Sequence, residues 1–64
     1  MNKKTVYTYA KFYLMNTIKY YEDKLNKEAL TEEEEIYAQK ILESNRSDLK
    51  AINFDLSLME SKGE

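Results

Sequence analysis

Apolar residues recur at helical spacing along the first part of this chain. With successive residues about 100° apart around a helix, six of them fall in one stripe about 80° wide. They are Tyr7, Ala10, Leu14, Ile18, Tyr21 and Leu25. The stripe predicts a first helix over about 3–27, with one face packed against a neighbouring helix.

A second apolar stripe steps alternately by four and three residues, which is the spacing of a coiled-coil seam. It consists of Ala38, Leu42, Asn45, Leu49, Ile52, Leu56 and Met59. This stripe predicts a second helix over about 32–60. Asn45 is its one polar member, and two interpretations remain open. It is either a buried asparagine that sets register or oligomeric state, or a partly exposed position.

The chain is expected to turn at about 28–31. The sequence "TEEE" at Thr31–Glu34 is typical of a capping box, in which the Thr31 hydroxyl accepts the Glu34 amide and the Glu34 carboxylate accepts the Thr31 amide. A short connection makes the two helices antiparallel neighbours, and residues 61–64 are expected to fray. The predicted fold class is all-α, an antiparallel two-helix hairpin that forms a single domain over 1–64.

The chain holds more large apolar residues than the two stripes use. On the first helix, Phe12 widens a second stripe, which lies about 120° from the first and contains Val6, Tyr9, Tyr13 and Tyr20. On the second helix, the residues off the seam are Ile36, Tyr37, Ala51, Phe54 and Leu58. Antiparallel pairing is expected to gather much of this surplus at the open end of the hairpin. One hairpin cannot cover that surface, and exposed apolar patches usually mark interfaces.

The composition limits the ways in which this surface can be covered. The 64 residues include neither cysteine nor histidine, which excludes disulfides and nearly every transition-metal site. Chains this short usually rely on disulfides, a metal or oligomerisation. We therefore predict a homodimer, with two hairpins paired into a four-helix bundle, and we predict no cofactor and no metal.

The same composition argues against catalysis. Without histidine and cysteine, acid–base or nucleophilic chemistry would fall to Asp, Glu, Lys, Ser or Tyr. The 12 acidic residues are expected on solvated helix faces, with no glycine loop beside them. The run Glu32–Glu35 does not form a cation cage, because consecutive helical residues point in different directions. We predict that the protein is not an enzyme.

The sequence also predicts where the protein acts. No apolar run reaches membrane-spanning length, and threonine and tyrosine interrupt the basic start, so no signal peptide is expected. A net charge of −2 gives no net attraction to phosphate or anionic lipid. The predicted location is the cytoplasm, without membrane binding. The bias toward Lys, Asn, Ile, Tyr and Glu is typical of low-GC bacterial or phage coding.

Basic residues near the open end suggest an alternative function. They are Lys3, Lys4, Lys11 and Lys50. The stretch "YYEDKLNKEALTEEEE", together with the hairpin architecture, resembles the Rop family of plasmid RNA-binding proteins. The resemblance implies a dimeric four-helix bundle that binds RNA through basic and aromatic residues of its first helices, a role for which Lys3, Lys4, Lys11 and Phe12 are present by type. The net charge of −2 and the lack of a Lys/Arg stripe count against phosphate binding.

The preferred prediction is an interaction protein that binds a host or cellular protein and inhibits or modulates it. Small proteins of phages and mobile elements often act in this way. Tyrosine is favoured at interfaces because it supplies contact area at low entropic cost and keeps a polar tip. The predicted partner-binding residues are Val6, Tyr9, Phe12, Tyr13, Tyr20, Phe54 and Leu58. The alternative, which stays open, is that these side chains form the core of the homodimer.

Overall fold

A computed structural model describes residues 2–61 of the chain. The fold consists of two helices, α1 at Lys3–Lys27 and α2 at Glu32–Ser61, which pack against each other. The connection at 28–31 spans at most about 14 Å, so the packed helices run antiparallel. The predicted all-α class with two packed helices is confirmed. The hairpin measures 47 × 16 × 16 Å and is therefore a thin rod.

The end of α2 differs slightly from the predicted one. Ser61 still belongs to the helix, although fraying was expected to begin there. A difference of one residue is within the normal variation of helix ends. The rest of the predicted frayed tail, residues 62–64, lies outside the described residues.

Local hydrogen bonds fix both ends of α1. At the start, Asn2 is the N-cap, and its side-chain oxygen accepts a hydrogen bond from the Thr5 amide at 2.8 Å. At the end, Glu28 leaves the helix in an extended conformation, and its amide donates to the Lys24 carbonyl at 3.1 Å. Lys24 and Lys27 lie in the last turn, where cations are stabilised by the helix dipole.

The predicted capping box begins α2. The Thr31 amide donates to the Glu34 carboxylate at 3.0 Å, and the Glu34 amide donates to the Thr31 hydroxyl at 3.1 Å. These reciprocal hydrogen bonds to Thr31 hold the pKa of the Glu34 carboxyl below its ordinary value. The side chains of Thr31, just before α2, and Glu34, in its first turn, therefore fix where α2 begins.

We expect Thr31→Ala to lower the free energy of unfolding by about 1 kcal/mol, because the Glu34 amide loses its acceptor. Urea unfolding followed by circular dichroism measures this loss. The control is Thr17→Ala, the same change inside α1, where the hydroxyl only donates to the Tyr13 carbonyl and alanine raises helix propensity. Equal losses in the two variants would contradict a capping role for Thr31.

The same hydrogen bonds give the turn a dependence on pH. Because the pKa of Glu34 is lower in the folded state than its ordinary value of 4.5, its carboxylate contributes stability fully above that pH. The contribution is lost as the pH falls through the lower, folded-state value. In Glu34→Gln, we expect a weaker decline in stability over this acidic range than in the wild type.

The core between the helices is small. Within residues 2–61, four residues are buried, namely Leu14, Ala38, Leu42 and Leu56. All four belong to the two predicted stripes, and the nine other stripe residues are half-buried. The predicted seam is therefore confirmed. Asn45 is half-buried in the single hairpin, and its role in register or oligomeric state stays a prediction.

Neither helix resembles a membrane span. Charged residues recur throughout α1 and α2. Over the described part of the chain, no helix is both long enough and apolar enough to cross a membrane.

Candidate protein-binding surface

The hairpin has two unlike sides near its turn. On one side, a cleft of about 290 Å³ is lined mainly by aromatic and acidic residues, namely Tyr20, Tyr21, Lys24, Glu33, Glu34, Tyr37 and Ala38. On the other side, a shallow cleft of about 800 Å³ is mostly polar and is lined by Glu22, Asp23, Leu25, Asn26, Gln39, Leu42, Glu43 and Arg46. The two sides therefore offer different chemistry to a partner.

Three tyrosines join the helices on the aromatic side. The rings of Tyr20 and Tyr21 meet edge to face, with centroids 5.0 Å apart, and Tyr21 meets Tyr37 of α2 at 6.3 Å. Burial raises the pKa of the Tyr21 hydroxyl, and the neighbouring Tyr37 raises it further. Tyr21 therefore stays protonated at neutral pH. Edge-to-face ring pairs are a favourable geometry, so these rings form one surface across the two helices.

Lys24 lies at the edge of this surface. Its Nζ is 5.7 Å from the Tyr20 ring centroid and 3.7 Å from a Glu28 carboxylate oxygen. Glu28 raises the pKa of Lys24, and Tyr20 adds to the effect. A stable cation therefore sits beside the tyrosines.

Helical spacing extends the aromatic side along the whole rod. Val6, Tyr13 and Tyr20 follow one another at intervals of seven residues, which keeps them within about 40° around α1. On α2, Ile41 and Ile52 lie within about 60° of Tyr37 by the same geometry. We call these six residues the tyrosine flank: Val6, Tyr13, Tyr20, Tyr37, Ile41 and Ile52.

The tyrosine flank is open to solvent in the single hairpin. Tyr13 is 69% exposed, and Val6, Tyr20 and Tyr37 are also exposed. Ile41 is half-buried beside the seam, and Ile52 is half-buried as a member of the seam. By the same geometry Asp48 and Asp55 lie within about 20° of Tyr37, so carboxylates interrupt the flank on α2. The exposed aromatic residues on α1 and Tyr37 on α2 still form an extended set of the kind that usually marks an interface.

Three of the other predicted partner-binding residues lie on the outer edges of the hairpin. Phe12 precedes buried Leu14 by two residues, and Phe54 precedes buried Leu56 by two, so each points about 160° away from the seam. Their exposed fractions are 55% and 63%. Leu58 is exposed within about 40° of Phe54, whereas exposed Tyr9 lies within about 20° of Tyr20, beside the tyrosine flank.

The structure spreads the apolar surplus more widely than the sequence predicts. Val6, Tyr13 and Tyr20 come together on the tyrosine flank, whereas Phe12 and Phe54 lie on opposite edges. The surplus is thus not gathered at one place at the open end. The predicted set also leaves out Tyr37, whose contact with Tyr21 joins the two helices. The sequence shows that residue 37 is aromatic, but it does not show which residue of α1 lies next to Tyr37.

Basic residues of the nucleic-acid alternative lie mostly on the polar side. Lys4 and Lys11 share a side of α1 with Glu22 by helical spacing, and Lys50 lies on the side of α2 that carries Arg46. The Arg46 guanidinium bonds the Glu22 carboxylate at 2.6 Å. The remaining predicted residue, Lys3, has its Nζ 5.8 Å from the Tyr7 ring centroid.

Comparison with known proteins gives no assignment. No family model, curated protein or solved structure matches this chain. Within residues 2–61, no group of three or more Asp, Glu, His or Cys side chains is placed to hold a metal ion. Function is therefore inferred from the exposed aromatic surface.

Proposed function

We propose that this chain is a non-enzymatic binding module that inhibits or modulates a host or cellular protein by covering part of its surface. One observation carries the proposal. Within residues 2–61, ten large apolar side chains are at least 45% exposed, while four residues are buried. A single exposed apolar residue is ordinary, but an extended set usually marks a protein interface.

The residue types support a protein partner. Tyrosine and phenylalanine supply large contact areas with few rotatable bonds, and such residues dominate binding energy in measured interfaces. Charged neighbours such as Lys24 and Glu33 line the aromatic cleft. Charges at the rim of an interface steer association and fix orientation more than they add affinity.

We also propose that the functional unit is a homodimer, in which two hairpins form a four-helix bundle in the cytoplasm. The short chain with its small core supports this, since proteins of this size commonly gain stability by association. Three of the acidic side chains have structural roles: Glu34 caps α2, Glu22 pairs with Arg46 and Glu28 pairs with Lys24.

The Rop-like alternative, RNA binding, has weaker support. Proteins that hold single-stranded nucleic acid combine a basic groove with aromatic rings on which bases stack. Here Lys4, Lys11 and Lys50 lie on the polar side with Glu22, away from the tyrosine flank. A salt-sensitive gel shift of structured RNA that is lost in Lys11→Gln would favour the alternative.

We expect Phe12→Ala to weaken capture of the partner by at least about 30-fold, the effect of losing one interface hot spot. Phe54→Ala tests the opposite edge in the same way. The measurement is affinity capture on the immobilised chain, followed by an activity assay of the captured protein with added chain. Circular dichroism should show unchanged helicity, because both phenylalanines are exposed.

Asn53→Ala is the control, because Asn53 is exposed and lies beside Phe54 in sequence. It should leave capture unchanged. If the captured protein is held equally well by the wild type and both phenylalanine variants, the outer edges are not the binding surface. If its activity is unaffected by the bound chain, the inhibitory role is wrong.

A further inference from the structure

We infer that a second copy of this chain covers the tyrosine flank, with the turn of each hairpin lying against the open end of the other. This inference rests on the proposed homodimer and specifies its interface and its orientation. The outer edges that carry Phe12 and Phe54 stay uncovered in this arrangement. They remain available to the other protein.

The size of the flank fits one more copy. A face 47 Å long and 16 Å wide has a projected area of about 750 Å², close to the roughly 800 Å² that each partner buries in a standard interface. The chain exposes 5120 Å², whereas a folded monomer of 7.6 kDa should expose about 4300 Å². The chain therefore exposes more surface than a compact monomer of its mass, as expected of a thin rod.

The spacing of the flank residues fits a two-fold axis across the middle of the rod. Tyr13 and Tyr20 are equally far from a point between residues 16 and 17, and Tyr37 and Ile52 from a point between 44 and 45. When α2 is folded back at the turn (28–31), the two points lie at nearly the same height on the rod. They are about two residues apart, or about 3 Å along the length of the rod. The axis places Tyr13 near Tyr20 of the second copy and Tyr37 near its Ile52.

The charge distribution selects the orientation. Residues 20–37, around the turn, carry seven acids and two bases, a net charge of −5. The rest of residues 2–61 carry seven bases and four acids, a net charge of +3. Two turns at the same end would bring like charges together, which costs free energy. With the turns at opposite ends, each acidic turn lies against a more basic end, and the charges attract.

The absence of cysteine from the sequence makes single-cysteine cross-linking an unambiguous test. Ser44 is exposed, follows Tyr37 by seven residues on the same flank, and lies beside the inferred axis. Ser44→Cys should give a disulfide-linked dimer of twice 7.6 kDa under mild oxidation. Ala29→Cys, in the turn, should stay unlinked because the two turns are far apart.

Met15→Cys is the matched control, since Met15 is 45% exposed, lies beside the inferred axis and precedes Glu22 of the polar side by seven residues; it should not cross-link. Linkage through Ala29→Cys would overturn the orientation. Linkage through Met15→Cys at the same rate as Ser44→Cys would overturn the choice of flank, as would a dimer that Ser44→Cys fails to link. A monomeric mass for every variant would overturn the second copy altogether. No other protein is added, so these outcomes are independent of whether capture through Phe12 succeeds.

Discussion

Leu42→Ala is expected to unfold the hairpin. Leu42 is 4% exposed and is one of the four buried residues in the described chain. Truncating a buried leucine to alanine costs about 2–5 kcal/mol through lost burial and the cavity left behind. A core in a chain this short rarely supplies more than about 3–5 kcal/mol. The loss is therefore comparable to the whole stability of the fold, and circular dichroism should show most of the helical signal gone.

Leu58→Ala is the matched control for this prediction. Leu58 is 45% exposed on the outer edge of α2, so the same chemical change removes little buried surface. We expect the variant to keep its helicity and to lose less than about 1 kcal/mol. Equal effects at Leu42 and Leu58 would mean that the seam is not where the stability of the hairpin lies.

Tyr13→Asp is expected to abolish self-association while leaving the hairpin helical. Tyr13 is 69% exposed in the single hairpin, so the fold of one copy does not depend on its ring. In the inferred dimer, the new carboxylate lies near Tyr20 of the second copy and loses water without gaining a partner. Loss of one hot-spot ring alone weakens an interface about 30-fold or more. Because the dimer is two-fold symmetric, the substitution is present twice in the interface.

Gln39→Asp is the control for the change in charge. Gln39 is exposed and lines the polar cleft on the other side of the rod. The Gln39→Asp variant carries the same added negative charge as Tyr13→Asp, and we expect this variant to associate like the wild type. Light scattering across a range of concentrations measures both variants. A dimer weakened equally by the two substitutions would point to net charge and not to the tyrosine flank.

The seam was predictable because it depends only on spacing along one chain. Every residue of the two predicted stripes is buried or half-buried, and the capping box forms with both hydrogen bonds. These features need neighbours three or four residues away. The Asn2 cap is of the same kind. Asparagine is a preferred N-cap, and the signal was present in the sequence.

The shape of the candidate site was less predictable because it depends on how the helices lie side by side. A helical wheel shows which residues share a face of α1, but it does not show which face of α2 lies next to them. The contact of Tyr21 with Tyr37 settles that question at the turn. On the polar side, the pairing of Glu22 with Arg46, 24 residues apart, shows which faces of the two helices are adjacent.

The molar mass of the wild-type chain, measured by light scattering over a wide range of concentration, tests the central claim most directly. That claim is that a second copy of the chain covers the tyrosine flank. The expected result is a mass of twice 7.6 kDa that falls toward 7.6 kDa on dilution. A folded monomer of 7.6 kDa at every concentration would contradict the homodimer and leave the flank uncovered.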